Sequence, residues 1–239
     1  MSGATLDAER IRAVLFDLDG TLYRQRPLRA VMALELPMML LRGPLKARRR
    51  LGAIRAYRVA QEHLRAEHRT GVRCAQLEAA ATASGLPVAE VEELIAEWMM
   101  KRPLKYLQFC RAAGLDRLLA VLDAAGLRTG VLSDYPAEAK LQALGLAGRF
   151  SPVLCATDPG IDAFKPNPRG YLRACEIWSL SPADVLFVGD RADVDAAGAA
   201  AAGMPCAIVG RVPPPPAESA ATYTVFPSFE RLSRVFDAR

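Results

Sequence analysis

The stretch Ala13-Val14-Leu15-Phe16-Asp17-Leu18-Asp19-Gly20-Thr21 couples an apolar run to two aspartates one residue apart and then a glycine. Four consecutive apolar residues bounded by polar ones fit a short buried strand. The crevice beyond the carboxyl ends of parallel strands is where open α/β sheets bind ligands, so Asp17 and Asp19 converge on an exposed point. Neighbouring carboxylates disfavour double ionisation. One can therefore hold a proton and serve as an acid while the other attacks or holds a metal. Taken alone, the stretch is as readily a surface turn, because Asp and Gly are common turn residues.

Outward from this stretch, short aliphatic runs alternate with helical patterns, the signature of a parallel sheet with helices on its faces. Strands are expected at Ala13–Phe16, Thr129–Leu132, Val153–Ala156, Val185–Val188, Cys206–Val209 and Tyr223–Val225. Between them, apolar spacings of three and four predict helices over Leu115–Ala125, Ala137–Leu144, Pro168–Trp178 and Asp195–Ala202, with Gly126, Gly145 and Gly203 as stops. Ser181-Pro182 starts a short turn, Pro213–Pro216 is a stiff surface connection and Phe229–Phe236 a terminal helix. Leu22 to about Gly114 breaks the alternation. Rich in Ala, Leu, Arg and Glu and without strand signals, it predicts helices over Arg29–Leu41, Pro44–Thr70, Cys74–Ser84 and Val88–Met100. The expected organisation is an α/β core, 1–22 and 114–239, with an all-helical subdomain, 23–113, inserted into it.

The later strand ends carry groups that complement Asp17 and Asp19. Ser133 follows Val131-Leu132, Lys165 lies in Phe164-Lys165-Pro166 near the third strand, and Gly189-Asp190 follows Leu186-Phe187-Val188, with Asp193 and Asp195 beyond. Singly these are a helix cap, a solvated lysine and a turn; together they make an active site. With these four motifs in this order, the core resembles the haloacid dehalogenase-like (HAD) superfamily of hydrolases, and the helical insert resembles it in position alone.

The resemblance implies a Rossmann-like parallel sheet and a role for each residue. Asp17 is the nucleophile, forming an aspartyl-phosphate. Asp19 protonates the leaving oxygen, then takes a proton from the hydrolytic water, and its carbonyl helps hold Mg²⁺. Asp17 and Asp190 give carboxylate oxygens to the metal, Asp195 orients its waters, and Ser133 and Lys165 grip the phosphoryl oxygens. Two positions stand out. Asp134 follows Ser133 where relatives often carry Asn or Gly, so its carboxylate must point away from a phosphate. Asp193 and Asp195 both offer the outer metal position, of which Asp195, ahead of Ala196-Ala197-Gly198-Ala199, fits the family spacing better.

From Asp17 to Ser133 is 116 positions, of which one core helix and loops need about 25 to 30, leaving a cap of about 85. From Ser133 to Lys165 is 32, filled by one helix and one strand, so no second cap fits. A helical cap over the crevice implies a closed site for a small phosphorylated metabolite. The expected function is Mg²⁺-dependent hydrolysis of a small-molecule phosphomonoester; Asp19 is the acid that dehalogenases of the family lack here. A phosphomutase would keep the same residues, and an inactive binding module using the basic cap is the rival from another class.

Bulk properties agree. A hydrophobic fraction of 51% and a charged fraction of 24% are those of a globular chain. Val31 to Leu41, broken by Glu35 and Pro37, is too short for a membrane span. Asp7 and Glu9 replace the cationic start of a secretory signal, and five cysteines without a C-x-x-C spacing fit a reducing cytoplasm. The net charge of +5 lies largely in Arg42–Arg73, including Lys46-Ala47-Arg48-Arg49-Arg50, a solvated helix face or an attractor of anionic substrate rather than a nucleic-acid site. His63 and His68, five apart, miss the spacing of a helical metal pair; Trp98, Met99 and Met100 are packing residues and Arg191 a solvated or structural one. Oligomeric state leaves no mark in the sequence.

Overall fold

The computed structural model describes residues 6–35, 37, 43–210 and 223–237. Its centre is a six-stranded sheet: β1 Ala13–Phe16, β2 Arg128–Ser133, β3 Val153–Cys155, β4 Val185–Gly189, β5 Cys206–Val209 and β6 Thr224–Phe226, in the order β3-β2-β1-β4-β5-β6. Every pairing is parallel. The order reverses between β1 and β4. That pair defines the topological switch point, where a crevice opens beyond the strand ends.

The continuous apolar runs are explained by burial on both sheet faces. Along β1, Val14 and Phe16 pack on one side with Leu115, Leu118, Leu141 and Phe229. Ala13 and Leu15 pack on the other with Tyr171, Trp178, Phe187 and Ala199. The alternation follows from the two-residue period of a strand and requires helices on both faces. In the insert, α1 spans Gln25–Ala33, α2 Pro44–Ala66, α3 Val72–Ser84, α4 Val88–Ile95 and α5 Leu104–Cys110. In the core, α6 spans Leu115–Ala124, α7 Glu138–Ala143, α8 Arg169–Trp178, α9 Ala197–Ala202 and α10 Phe229–Ser233. Helix α6 buries Leu115, Leu118, Leu119 and Leu122, the i, i+3, i+4, i+7 stripe of a helix lying on a sheet.

No strand lies between β1 and β2 among the described residues, and the insert has a small core of its own, including Ala53, Tyr57, Ala80, Val91, Leu94 and Ile95. Alanines at the contact let α2 and α3 approach closely. Several boundaries differ from the sequence expectation. The first insert helix starts four residues early, at Gln25, and ends at Ala33; the rest of the predicted Arg29–Leu41 helix lies partly outside the described residues, and Pro213–Pro216 lies wholly outside them. The predicted Val88–Met100 helix stays α-helical only to Ile95 and widens into a π-helical turn, Ala96–Lys101. Helix α5 has no counterpart in the expectation: two buried residues, Leu107 and Cys110, are too few to make a stripe. No helix among the described residues is long and apolar enough to cross a membrane.

Candidate active site

Asp17 leaves the end of β1 and Asp190 leaves the end of β4, so the strand pairing that sets Phe16 level with Val188 brings their loops together. Gly20 makes the approach possible. It holds φ +114°, and a Cβ there would stand 2.4 Å from the Asp190 carboxylate, so only glycine fits. Gly189 plays the same part for Asp195, whose Oδ2 would be 2.4 Å from an added Cβ.

The π-helical turn Ala192–Ala196 carries Asp195 inward and leaves Asp193 outside. Asp195 is buried, and its Oδ2 accepts the backbone N–H groups of Asp190 and Arg191 at 3.1 and 3.0 Å. Asp193 is spent on the half-buried Arg191, which also donates to Glu62 of α2 at 3.2 Å. Carboxylate oxygens of Asp17, Asp190 and Asp195 lie within 4.8 Å of one another. Among them stands the Lys165 ammonium, 2.5 Å from Asp17 Oδ1 and 2.8 Å from Asp195 Oδ1, buried with both. Thr21 donates its hydroxyl to Asp17 Oδ2 at 2.9 Å, fixing the carboxylate from its other side.

Three acids around one base set the electrostatics. Burial pushes Asp17 up to about 7, with Asp195 and Asp190 adding repulsion and Lys165 resisting. Burial and the Asp195 charge raise Asp190 to about 6. Lys165, which burial alone would depress, is held well above its ordinary value by Asp17 and Asp195. An all-oxygen donor set with surplus negative charge is the chemistry of a hard divalent cation such as Mg²⁺.

Asp19 stands apart from this cluster. Its carboxylate takes both oxygens to Lys140 Nζ, at 2.6 and 2.7 Å, and accepts the Tyr23 hydroxyl as well. Burial acts to raise its pKa, yet Lys140 and Tyr23 outweigh burial and hold it below the ordinary aspartate value. Its backbone carbonyl accepts the Gln25 side-chain amide at 2.5 Å. Lys140 is a site residue that sequence reasoning missed. The signal was present: Ala137, Lys140, Leu141 and Leu144 form one buried i, i+3, i+4, i+7 stripe, and a lysine on it needs a buried partner.

Ser133 ends β2 with its side chain buried, and its Oγ accepts the Tyr135 N–H at 3.2 Å. The Asp134 carboxylate points away, to Arg65 on α2, Gln61 at 3.3 Å and the Lys165 N–H at 3.2 Å. Arg65, also unforeseen, donates to the Lys165 carbonyl at 2.7 Å and so ties the insert to the backbone of Lys165.

A model of the family "haloacid dehalogenase-like hydrolase" matches residues 11–203. N-acetylmuramic acid 6-phosphate phosphatase of Pseudomonas aeruginosa is 31% identical over 189 residues, 76% of this chain and 74% of its own length. Phosphoglycolate phosphatase of Xylella fastidiosa is 31% identical over 206 residues, 81% of this chain and 78% of its own. Among solved structures, a 2-haloacid dehalogenase from Pseudomonas syringae superposes with a TM-score of 0.66 at 24% identity, covering 94% of this chain and 97% of that one. A phosphatase from Thermococcus onnurineus superposes with a TM-score of 0.59 at 20% identity, with the same coverage. At these identities the two structures show a shared fold.

Proposed function

We propose a catalytic reading whose premise is that the chain belongs to the haloacid dehalogenase-like hydrolase family. The reading is Mg²⁺-dependent hydrolysis of a small-molecule phosphomonoester through an aspartyl-phosphate on Asp17, with the helical insert, about residues 23–113, as the cap that closes over the crevice. One observation carries it: Asp17, Asp190 and Asp195 converge around Lys165 at the switch point of the sheet. The two relatives covered over three quarters of this chain are named for phosphomonoester hydrolysis, which supports the reaction class without naming this chain's substrate.

Asp17 attacks phosphorus as the bond to the leaving oxygen breaks, and Lys165 offsets repulsion between the carboxylate and the entering phosphoryl group. Asp17 and Asp190 would hold the metal, with Asp195 behind them; the Asp19 carbonyl keeps a second lone pair beside the one taken by Gln25. When bound, Mg²⁺ supplies neutralisation of charge on the transferring group. Ser133 donates to a phosphoryl oxygen once substrate enters. Asp19 gives the leaving oxygen its proton and then takes one from the water that splits the aspartyl-phosphate. Lys140 keeps Asp19 ionised in the free protein, and an anionic phosphoryl group arriving beside it raises its affinity for a proton.

The test is hydrolysis of a phosphomonoester panel by wild type and Asp17→Asn, with Mg²⁺ and with chelator. Magnesium-dependent turnover in the wild type, lost in the variant, is the expected result. Turnover that survives Asp17→Asn removes Asp17 as nucleophile.

A further inference from the structure

Lys165 reaches the cluster from a less secure place than its partners. Asp17 and Asp190 lie just beyond β1 and β4, and Ser133 closes β2, so a ladder of hydrogen bonds fixes the backbone that carries each of them. Lys165 lies in the irregular stretch between β3 and α8, where neither a ladder nor a helix takes up its backbone groups. Its neighbours close turns within that stretch: the Ala163 N–H meets the Ala156 carbonyl and the Asn167 N–H the Phe164 carbonyl, both at 3.0 Å. Lys165 is buried, so its N–H and C=O still need partners, and these come from side chains.

One ion pair takes both groups. The Lys165 N–H donates to Asp134 Oδ1 at 3.2 Å, and the Lys165 carbonyl accepts Arg65 Nε at 2.7 Å. Asp134 and Arg65 are bonded to one another through Oδ2 and Nη2. Arg65 Nη1 donates to Glu62, one turn back on α2, at 2.5 Å, and Gln61 donates to Asp134 Oδ2 at 3.3 Å. A planar guanidinium holds its acceptors in fixed directions, which the compact ammonium of a lysine does not. The carboxylate at position 134, unfavourable beside a phosphate when read alone, has its use in this pair.

At the far end of the Lys165 side chain, the ammonium stands 2.5 Å from Asp17 Oδ1 and 2.8 Å from Asp195 Oδ1. It gets there on a flexible four-carbon stem, so the place of the charge depends on where the backbone is held. Arg65 belongs to the insert, while Asp134 and Lys165 belong to the core. We infer that Arg65 is a positioning residue: paired with Asp134, it holds the Lys165 backbone so that the ammonium meets Asp17 and then the entering phosphoryl group. The lysine is thereby aimed only while the insert is seated. The inference rests on the phosphohydrolase reading for what the ammonium does, and on the contacts alone for how it is placed.

The experiment reads Lys165 directly and through turnover. In the full-length chain with ¹³C,¹⁵N-labelled lysine, the Lys165 ammonium signal is identified by NMR as the one lost in Lys165→Met. Arg65→Met and Asp134→Asn are expected to shift or broaden it. Glu35→Gln, which removes a buried charge paired with Arg102 and Lys105 elsewhere in the insert, leaves it in place. Turnover of p-nitrophenyl phosphate with Mg²⁺ gives the second reading. Arg65→Met is expected to lower kcat/KM by about 10²-fold, the effect of displacing a reacting group by about 1 Å. In the Lys165→Met background the same change alters kcat/KM by about twofold or less, because the lysine it acts through is gone. Where Arg65→Met does not fold, Arg65→Lys takes its place, keeping a charge for Asp134 without the fork that also reaches the Lys165 carbonyl. Losses that multiply in the double variant, or a Lys165 signal unmoved by both Arg65→Met and Asp134→Asn, overturn the inference. A moved signal in a chain that turns over no phosphomonoester would instead remove the hydrolase reading and leave the placement of Lys165 by Arg65 standing.

Discussion

Asp19 is pulled in two directions at the scale of a single residue. Burial favours its protonated form, while Lys140 and Tyr23 hold it ionised. Its task in the proposed reaction is proton delivery, so its substitution should depend on how much the leaving oxygen needs that proton. Asp19→Asn is expected to slow alkyl phosphate esters by about 10² to 10⁴. Aryl esters, whose phenolate departs unprotonated, should slow far less. Steady-state kcat/KM on one ester of each kind checks this, and equal losses on both would remove the proton-transfer role. Asp17 and Asp190 could be picked from the sequence because each lies just beyond an apolar run, and Lys165 because it stands before a proline in the motif order of the family. Lys140 could not, since a helix pattern shows that a lysine lies on the buried stripe but not which acid waits for it 121 positions away.

Element by element, the insert is joined by charge as well as by apolar contact. Beyond the end of α1, Glu35 is buried and accepts from Lys105 and from the Tyr106 hydroxyl, both at 2.5 Å, and from Arg102 at 2.9 Å. These contacts tie the exit of α1 to the π-helical turn Ala96–Lys101 and to α5. The hydrogen bonds from Lys105 and Tyr106 lead in lowering Glu35 from 4.5 to about 2, with burial opposing and Arg102 assisting. A depressed carboxylate pKa stabilises the fold fully above the unfolded value of 4.5, and that contribution fades as pH falls toward about 2. Glu35→Gln should therefore be less stable than wild type at neutral pH, with the gap narrowing between about pH 5 and about pH 3. Urea unfolding at both pH values measures it; a gap independent of pH would mean that the charge on Glu35 does not contribute.

Across the whole molecule, the insert is seated on the core by apolar contacts, Leu64 and Val72 against Ala156 and Phe164, and by polar ones close to the candidate site. Arg65 bonds Asp134 and the Lys165 carbonyl, Glu62 meets Arg191, and the Asp162 carboxylate of the core accepts the Gly71 and Val72 N–H groups at 2.7 and 3.1 Å, at the start of α3. Removing one partner of a buried ion pair leaves the other uncompensated. Arg65→Met is accordingly expected to cost about 3–5 kcal/mol in urea unfolding and to lower kcat for every ester alike. A cost below about 1 kcal/mol would show that Asp134 finds water or another donor when the arginine is gone. The parallel α/β core, its helical interruption and the acidic ends of the first and fourth strands were all legible in the sequence. Each follows from local periodicity, and strands that run parallel must deliver their carboxyl ends to one edge. The pairing of Asp19 with Lys140 and the turning of Asp134 onto Arg65 were decided only by tertiary structure. They depend on the rotation of each helix about its axis and on the packing of segments far apart in the chain, neither of which a local pattern records.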